Sequence, residues 1–404
     1  MELGPEMLPT GEKCGIIAVY APGSESAAHL VYSGLHKLQH RGQEGAGIGT
    51  LTDGEIVVIE GPGLVRDVFR GGVLGGYADT DFATGHVRYS TTGNNDWSGQ
   101  PVYNDSGGGF TLGHNGNIVN VGELEQIFGV PVSEHPSDSH QLTDILGNVA
   151  QEHGLAGALE RVLPRVMGAY SLTMQTPDGI MGIRDPHGFR PLVLGRRGED
   201  GGYVLASEHC ALDITEANFL RDINPGEIIA IDRHGVSSSR LPVAAPQESL
   251  CAFEYVYFSG PDNLLHGQYV HEVRKDAGRL LAAQGSVDAD VVVPLPNSGR
   301  SAAIGYAEVS GIRMDEAFKK SDTVGRTFIA PPGPGQRERK VREKFSVIKP
   351  VVDGKNVVVV DDSIVRGTTT RVIVKMLKEA GAKEVHFRIS SLPYRWPCFY
   401  GMDT

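Results

Sequence analysis

The sequence predicts two domains in tandem: a mixed α+β layered domain over residues 14–234, then an α/β domain with a doubly wound parallel sheet over residues 250–404. Three observations predict this. The length of 404 residues suits about two or three ordinary domains. The first part reads as many short strands punctuated by glycine and proline, with few helices and no sustained strand–helix–strand alternation. Near residue 250 the pattern changes to buried apolar strands alternating with helices, as parallel βαβ units require.

In chain order, Gly15–Ala21 reads as an apolar strand and Ala27–Gln39 as an amphipathic helix. Strand-like runs follow at Ile56–Glu60, Thr84–Tyr89, Phe110–Val119, Ala169–Gln175 and Tyr203–Ala206. In the second part, Asp288–Pro294 is a buried-type strand followed by a helix over Ser301–Val309. Asn356–Val360 is a second such strand, then come a helix over Thr369–Ala380 and a strand over Glu384–Ile389. Between these units, Lys319–Lys349 is rich in Lys, Arg, Gly and Pro with little periodicity, which predicts a lid or a disordered stretch.

Composition narrows the class. Apolar residues make up 40% and charged residues 21%, the balance of a soluble globular chain. Apolar runs such as Val357–Val360 are too short to span a bilayer. Residues 1–13 are acidic and lack the apolar core of a secretory signal. A net charge of −12 argues against nonspecific nucleic-acid binding. The four cysteines, Cys14, Cys210, Cys251 and Cys398, are too scattered for a disulfide framework. A cytoplasmic protein is expected.

The strongest motif runs from Val357 to Thr370: VVVVDDSIVRGTTT. A valine strand ends in two carboxylates, and a short loop then opens a helix. Unpaired N–H groups at such a helix start favour a phosphate. Gly367 lets backbone approach closely, and the hydroxyls of Ser363, Thr368 and Thr369 can donate. Asp361 and Asp362 cannot hold phosphate; they suit ribose hydroxyls or Mg²⁺. This string is similar to the phosphoribosyl pyrophosphate (PRPP) motif of type I phosphoribosyltransferases. The resemblance assigns the acidic pair to the ribose, and Ser363, Arg366, Gly367, Thr368 and Thr369 to the 5′-phosphate loop. It makes Val293–Arg300 the pyrophosphate loop, with Ser298 beside the metal; that family often has an acidic residue where Asn297 stands.

In the first part, polar clusters abut apolar elements at His40–Gly47, Gly85–Thr91, Gly113–Asn117 and Ser137–Ser139, downstream of Cys14. In order and spacing they resemble the N-terminal-nucleophile glutamine amidotransferases, which implies an αββα layered fold. The chemistry suits the residue types. A thiol needs a base. If residues 1–13 are removed as a propeptide, the freed α-amine of Cys14 supplies one, with an ordinary pKa of about 7.7–8.0. Attack on the glutamine amide creates an oxyanion, for which the resemblance implies the Asn115 side chain and the Gly116 N–H as donors. It implies Arg88 as a fork for the substrate α-carboxylate, Asp138 for its α-ammonium, and Thr91 and Arg41 as further glutamine-binding residues. Arg41 and His86 each carry two readings, site support and structural hydrogen bonding.

The two domains in this order resemble the amidophosphoribosyltransferase family over residues 14–404. That resemblance implies a glutamine-dependent pentosyltransferase making 5-phosphoribosylamine, glutamate and pyrophosphate from PRPP, glutamine and water, the first step of purine synthesis. It implies Mg²⁺ at Ser298, Asp361 and Asp362, ammonia passing internally between the sites, purine-nucleotide inhibitors and a homo-oligomer. Cys251 and Cys398 match two ligands of the [4Fe–4S] cluster found in one branch of the family. The other two belong to a C-terminal Cys-x-x-Cys that this chain stops short of, so an incomplete cluster site is expected. At Lys320–Thr323 the chain departs from the family pattern, which leaves a non-catalytic PRPP-binding regulatory paralogue as the alternative.

Overall fold

The computed structural model describes residues 14–401 except 24–25, 78–79, 90–97, 132–136, 199–200, 244–246, 286, 322–335, 365–366, 394, 397 and 399. They form two compact units. One comprises the residues up to Cys251 together with the end of the chain, including Cys398, Tyr400 and Gly401. The other is Ala252–Trp396.

The first unit is built from two antiparallel sheets. The seven-stranded sheet runs in the order Ala217–Asp222, Val193–Arg197, Tyr203–Ala206, Gly15–Tyr20, Phe82–Arg88, Gly45–Thr52, Glu55–Pro62. The six-stranded sheet runs Gly235–Arg240, Glu227–Asp232, Gly179–Arg184, Gly168–Thr176, Phe110–Ile118, Val102–Asn104. The first strand explains the layering. Successive side chains of a strand point to opposite faces. Ile16, Ala18 and Tyr20 enter a core shared with Ile180, Ile229 and Ile231 of the second sheet. Ile17 and Val19 enter a core shared with the helix Ala27–Leu38. That helix buries Ala27, Leu30, Val31, Gly34, Leu35 and Leu38, an i, i+3, i+4, i+7 stripe. Gly34 sets the closeness of the layers: a Cβ there would lie 2.3 Å from Ile17 Cδ1.

The second sheet repeats the alternation. Phe110 and Leu112 pack with Leu142, Ile145 and Leu146 of the helix Asp138–Val162. The odd positions turn inward, and Thr111 Oγ1 lies 3.0 Å from Thr84 Oγ1 of the opposite sheet. The order is therefore helix, sheet, sheet, helix, the αββα layering. The long helix from Asp138 is hard to read from sequence, because its apolar stripe is interrupted and Gly154 breaks its geometry at φ 68°.

The second unit holds a three-stranded parallel sheet in the order Val291–Pro294, Asn356–Asp361, Glu384–Ile389. Val357 to Val360 are all 0% exposed, each worth roughly 1.5–3 kcal/mol of apolar burial. Their alternation covers two cores. Val357 and Val359 meet Val372, Ile373 and Leu377 of the helix Thr368–Glu379. Val358 and Val360 meet Ala302 and Tyr306 of the helix Gly299–Ser310. Helices thus cover both faces, as a doubly wound sheet requires.

The ends of Lys319–Lys349 carry regular structure that the sequence did not show. Phe318–Lys320 pairs antiparallel with Phe345–Val347, and Gln336–Lys344 is a helix. The strands are too short for periodicity to register. Their Phe318 and Phe345 are nevertheless buried in the sheet's core. The helix is held by charge, not an apolar stripe: Arg342 lies 3.3 Å from Glu338 and 2.9 Å from Glu379. Residues 322–335 lie outside the described residues, and with them Asp322 and Thr323 of the Lys320–Thr323 departure. Among the described residues no helix is long and apolar enough to cross a membrane.

Candidate active site

Strand parity brings the first site together. Counting back from Ile16, Cys14 faces the gap between the sheets, and counting from Thr111, Asn115 faces it from the other side. Cys14 is 0% exposed, and its backbone N–H donates to Asn115 Oδ1 at 3.4 Å. With Oδ1 so engaged, the other end of the amide is fixed. Asn115 Nδ2 is buried with no hydrogen-bond partner among the described residues. An unsatisfied buried donor is uncommon and costs about 1–3 kcal/mol. On a residue that bonds the Cys14 backbone, such a donor suits an oxyanion-binding role. Gly116 follows at φ 155°; a Cβ there would lie 1.9 Å from the Ala169 carbonyl oxygen, so only glycine fits.

Arg41 is 3% exposed, and its Nε donates to the Cys14 carbonyl at 2.9 Å. Its Nη1 donates to Glu208 Oε1 at 2.5 Å, and His40 Nε2 reaches the same oxygen at 3.0 Å. Burial alone would raise the Glu208 carboxyl, but His40 and Arg41 outweigh it and hold the group at about 2. His86 stands on the inward face of Phe82–Arg88, and its Nε2 lies 3.1 Å from the His114 carbonyl oxygen.

The groups assigned to the substrate's α-carbon lie around this end. Arg88 ends its strand, half-buried, with its guanidinium donating to the Ser98 carbonyl and hydroxyl. Asp138 opens the helix Asp138–Val162, and its Oδ2 accepts from the Ile118 N–H at 2.8 Å. Burial would raise the Asp138 carboxyl, but His114, 3.7 Å away, and its hydrogen bonds lower it. Thr91 lies outside the described residues.

In the second unit the acidic pair lies where the motif predicts, at the carboxyl end of the middle strand. Asp362 is buried and accepts hydrogen bonds from the hydroxyls of Ser298 and Ser363. The Asp362 N–H donates to Asp361 Oδ1 at 2.9 Å. Burial, then the adjacent Asp362 carboxylate, pushes Asp361 up to about 7. Two crowded carboxylates and a serine hydroxyl are hard oxygen donors, which fits a divalent cation such as Mg²⁺. Gly367 precedes the helix Thr368–Glu379 at φ 65°, and Thr369 is exposed. Arg366 and the side chain of Thr368 lie outside the described residues.

Cys251 and Cys398 both lie near Phe189. The Cys251 N–H donates to the Phe189 carbonyl at 3.1 Å. The Phe189 ring stacks on Tyr400 at 4.9 Å, and the Tyr400 N–H donates to Cys398 Sγ at 3.4 Å. Cys14 and Cys210 are elsewhere, Cys210 Sγ lying 3.9 Å from the Lys37 carbonyl. Among the described residues no group of three or more His, Cys, Asp or Glu could hold a metal ion.

Sequence reasoning missed Glu208 and Gln100, and it placed Ser139 in a polar cluster without giving it a role. Gln100 accepts the His114 N–H at 2.8 Å and donates to Ser139 Oγ at 3.0 Å, which lies 3.0 Å from His114 Nδ1. Ser207-Glu208 did carry a signal, a polar pair directly after the apolar strand Tyr203–Ala206. Gln100 carried none, since it sits in a loop of polar residues.

Comparison with known proteins agrees with this geometry. Residues 70–240 match the model of the glutamine amidotransferase domain. The chain is 46% identical over 402 residues to an amidophosphoribosyltransferase of Mycobacterium leprae, covering 97% of this chain and 71% of that protein. It resembles the solved structure of an allosteric regulatory enzyme of purine biosynthesis, with TM-score 0.86 and 43% identity, covering 96% of this chain and 83% of the other. It resembles equally the glutamine PRPP amidotransferase from Bacillus subtilis complexed with ADP and GMP, with TM-score 0.85 and 43% identity over 96% of this chain and 84% of that one.

Proposed function

This chain belongs to the amidophosphoribosyltransferase family, and from that premise we propose how its residues turn PRPP, glutamine and water into 5-phosphoribosylamine, glutamate and pyrophosphate. It is a glutamine-dependent phosphoribosyltransferase of purine biosynthesis. The observation that carries the assignment of roles is the pairing of Cys14 with Asn115, whose Nδ2 is a buried donor without a partner.

In the glutaminase half, the Cys14 thiol loses its proton to the Cys14 α-amine, freed when residues 1–13 are removed. The thiolate attacks the side-chain amide carbon of glutamine. Asn115 Nδ2 and the Gly116 N–H receive the oxyanion. The amide nitrogen leaves as ammonia, taking the proton from the α-amine. Water then cleaves the thioester, giving glutamate and free Cys14. Arg88 and Asp138 would grip the two charged groups on the substrate's α-carbon, with Thr91 and Arg41 supporting them.

In the transferase half, Asp361 and Asp362 hold the ribose hydroxyls. Ser363, Arg366, Gly367, Thr368 and Thr369 surround the 5′-phosphate. Ammonia attacks the anomeric carbon and pyrophosphate departs. Ser298, Asp361 and Asp362 would hold Mg²⁺, which when bound shields the charge of the leaving group. ADP and GMP, bound in the Bacillus subtilis relative, make purine nucleotides the proposed inhibitors here. A homo-oligomer is the assembly that the family resemblance implies. A [4Fe–4S] cluster needs four thiolates. This chain brings Cys251 and Cys398 toward Phe189 and keeps its other two thiols elsewhere, so its own cysteines do not complete such a site.

Purified protein supplied with glutamine, PRPP and Mg²⁺ should release glutamate and pyrophosphate in equal amounts. PRPP binding without pyrophosphate release would point instead to the regulatory paralogue.

A further inference from the structure

The Cys14 residue stands one position before its ladder: the paired register on one side starts at Gly15 with Val87, and on the other at Ile17 with Ala206. Its backbone therefore needs holding from outside the sheet. Two consecutive residues, Ser207 and Glu208, supply much of that. Ser207 clamps Ile16 from both sides: the Ser207 N–H donates to the Ile16 carbonyl and Ser207 Oγ accepts the Ile16 N–H, each at 3.0 Å. Glu208 reaches one residue further back through Arg41. Its Oε1 takes Arg41 Nη1 at 2.5 Å, and Arg41 Nε takes the Cys14 carbonyl at 2.9 Å.

Glu208 is 0% exposed and Arg41 3%. A planar guanidinium held at one end by a carboxylate has a fixed direction at the other, because its N–H groups form a rigid fork. The carboxylate is also the countercharge for a buried cation that lies one carbonyl away from the Cys14 amine. Other charged or titratable groups at this end are His40 on the same Glu208 oxygen, Cys210 with its Sγ 4.0 Å from Glu208 Oε2, and His86, Arg88 and Asp138 on the strands and helix around the gap.

We propose that Glu208 is a positioning residue for the glutaminase reaction: acting through Arg41, it fixes the Cys14 backbone in its attacking position and offsets the guanidinium charge beside the Cys14 amine. The inference rests on Cys14 being the nucleophile. The competing account is a structural ion pair that merely satisfies Arg41.

The two accounts separate in the processed protein with Glu208→Gln, which keeps the shape and loses the charge. Ammonia-dependent use of PRPP, which does not need Cys14, reports folding. Glutamine hydrolysis should fall about ten- to a hundredfold, the scale of a small misplacement of a reacting group. The acid limb of its kcat/KM profile should move to lower pH, because an uncompensated guanidinium disfavours the protonated amine. Glu208→Asp should recover part of the rate and the original limb. If Glu208→Gln alone does not fold, the neutral pair Arg41→Gln with Glu208→Gln replaces it. Against Arg41→Gln, the second change should then cost no further glutaminase activity. A Glu208→Gln profile that superimposes on the parent, or strictly additive losses in the cycle, overturns the proposal. Cys14→Ala, run alongside, tells which reading fails: retained glutamine hydrolysis there removes the nucleophile and this inference with it, whereas its loss together with a normal Glu208→Gln removes only the inference.

Discussion

His86 and His114 stand on facing sheets and are joined by a single hydrogen bond, His86 Nε2 to the His114 carbonyl, at 3.1 Å. A carbonyl can only accept, so Nε2 carries the proton. His86 Nδ1 is buried without a partner among the described residues, as expected of the bare nitrogen of a neutral ring. Burial keeps it neutral, pushing its pKa to about 3. The bond ties the sheet carrying Cys14 to the peptide immediately before Asn115. Of the two roles open to His86 from sequence, this geometry favours structural hydrogen bonding that also aligns the site.

His86→Phe should therefore lower glutamine hydrolysis while leaving ammonia-dependent PRPP use intact. The parent should also lose stability in mild acid. The folded-state pKa lies below the unfolded value of 6.5, so the unfolded chain takes up a proton that the folded chain refuses. Below about pH 6.5 this costs about 1.4 kcal/mol per pH unit until the folded ring titrates near 3. Denaturant titrations between pH 7 and 5 should show a smaller slope for His86→Phe; equal slopes would contradict the assignment.

Cys14→Ala should abolish use of glutamine and spare use of ammonia with PRPP, because the two proposed sites belong to separate compact units. The intact mass should correspond to a chain starting at Cys14. Glutaminase activity in Cys14→Ala would end the nucleophile reading, and full activity with residues 1–13 still attached would remove the amine as base.

Asn115→Ala removes the waiting donor but little packing. We expect glutaminase kcat to fall by about 10²–10³, the effect of losing one oxyanion donor, with a much smaller change in KM. Gly116→Ala should be worse, since its Cβ would meet the Ala169 carbonyl oxygen at 1.9 Å and force the strand aside. A KM effect without a kcat effect for Asn115→Ala would place that side chain in ground-state binding instead.

The layered fold and the parallel sheet were legible where short continuous apolar runs mark strands buried on both faces, as in Gly15–Tyr20 and Asn356–Asp361. Asp361 and Asp362 were legible because they end a buried strand just before a helix, whereas Cys14 and Asn115 were proposed on the resemblance of the polar clusters around them. Other features were not. Gly45–Thr52 alternates glycine with small and apolar residues and gives no amphipathic pattern, though it lies between two strands of the sheet. The helix Gln336–Lys344 depends on ion pairs with a partner 37 residues away in sequence. Glu208 is 167 residues from Arg41, and pairing over that distance is set by topology, which a single sequence does not display.

Asp361 and Asp362 are expected to separate function from stability. In the proposed site both carboxylates hold ribose hydroxyls and Mg²⁺, so Asp361→Asn and Asp362→Asn should each lower kcat/KM for PRPP by about ten- to a hundredfold, the scale of a lost charge-assisted hydrogen bond. Cys14 should stay reactive toward a glutamine-like affinity label in both. Their stabilities should diverge. Asp362 accepts from Ser298, Ser363 and, through its backbone carbonyl, the Ser391 N–H, so Asp362→Asn disturbs the junction of both loops. Asp361 is crowded by burial and by its neighbour, which raise it to about 7. A carboxyl raised in the folded state is harmless below its unfolded pKa near 3.8 and increasingly destabilising as pH rises through about 7. In metal-free buffer, Asp361→Asn should thus have a higher Tm than the parent at pH 8, and the gap should close towards pH 4. Added Mg²⁺ should narrow the gap at pH 8 by neutralising the parent's pair. A lower Tm for Asp361→Asn at pH 8, or unchanged PRPP kinetics in both variants, would show that this end of the valine strand is an ordinary acidic turn and not the place where PRPP is held.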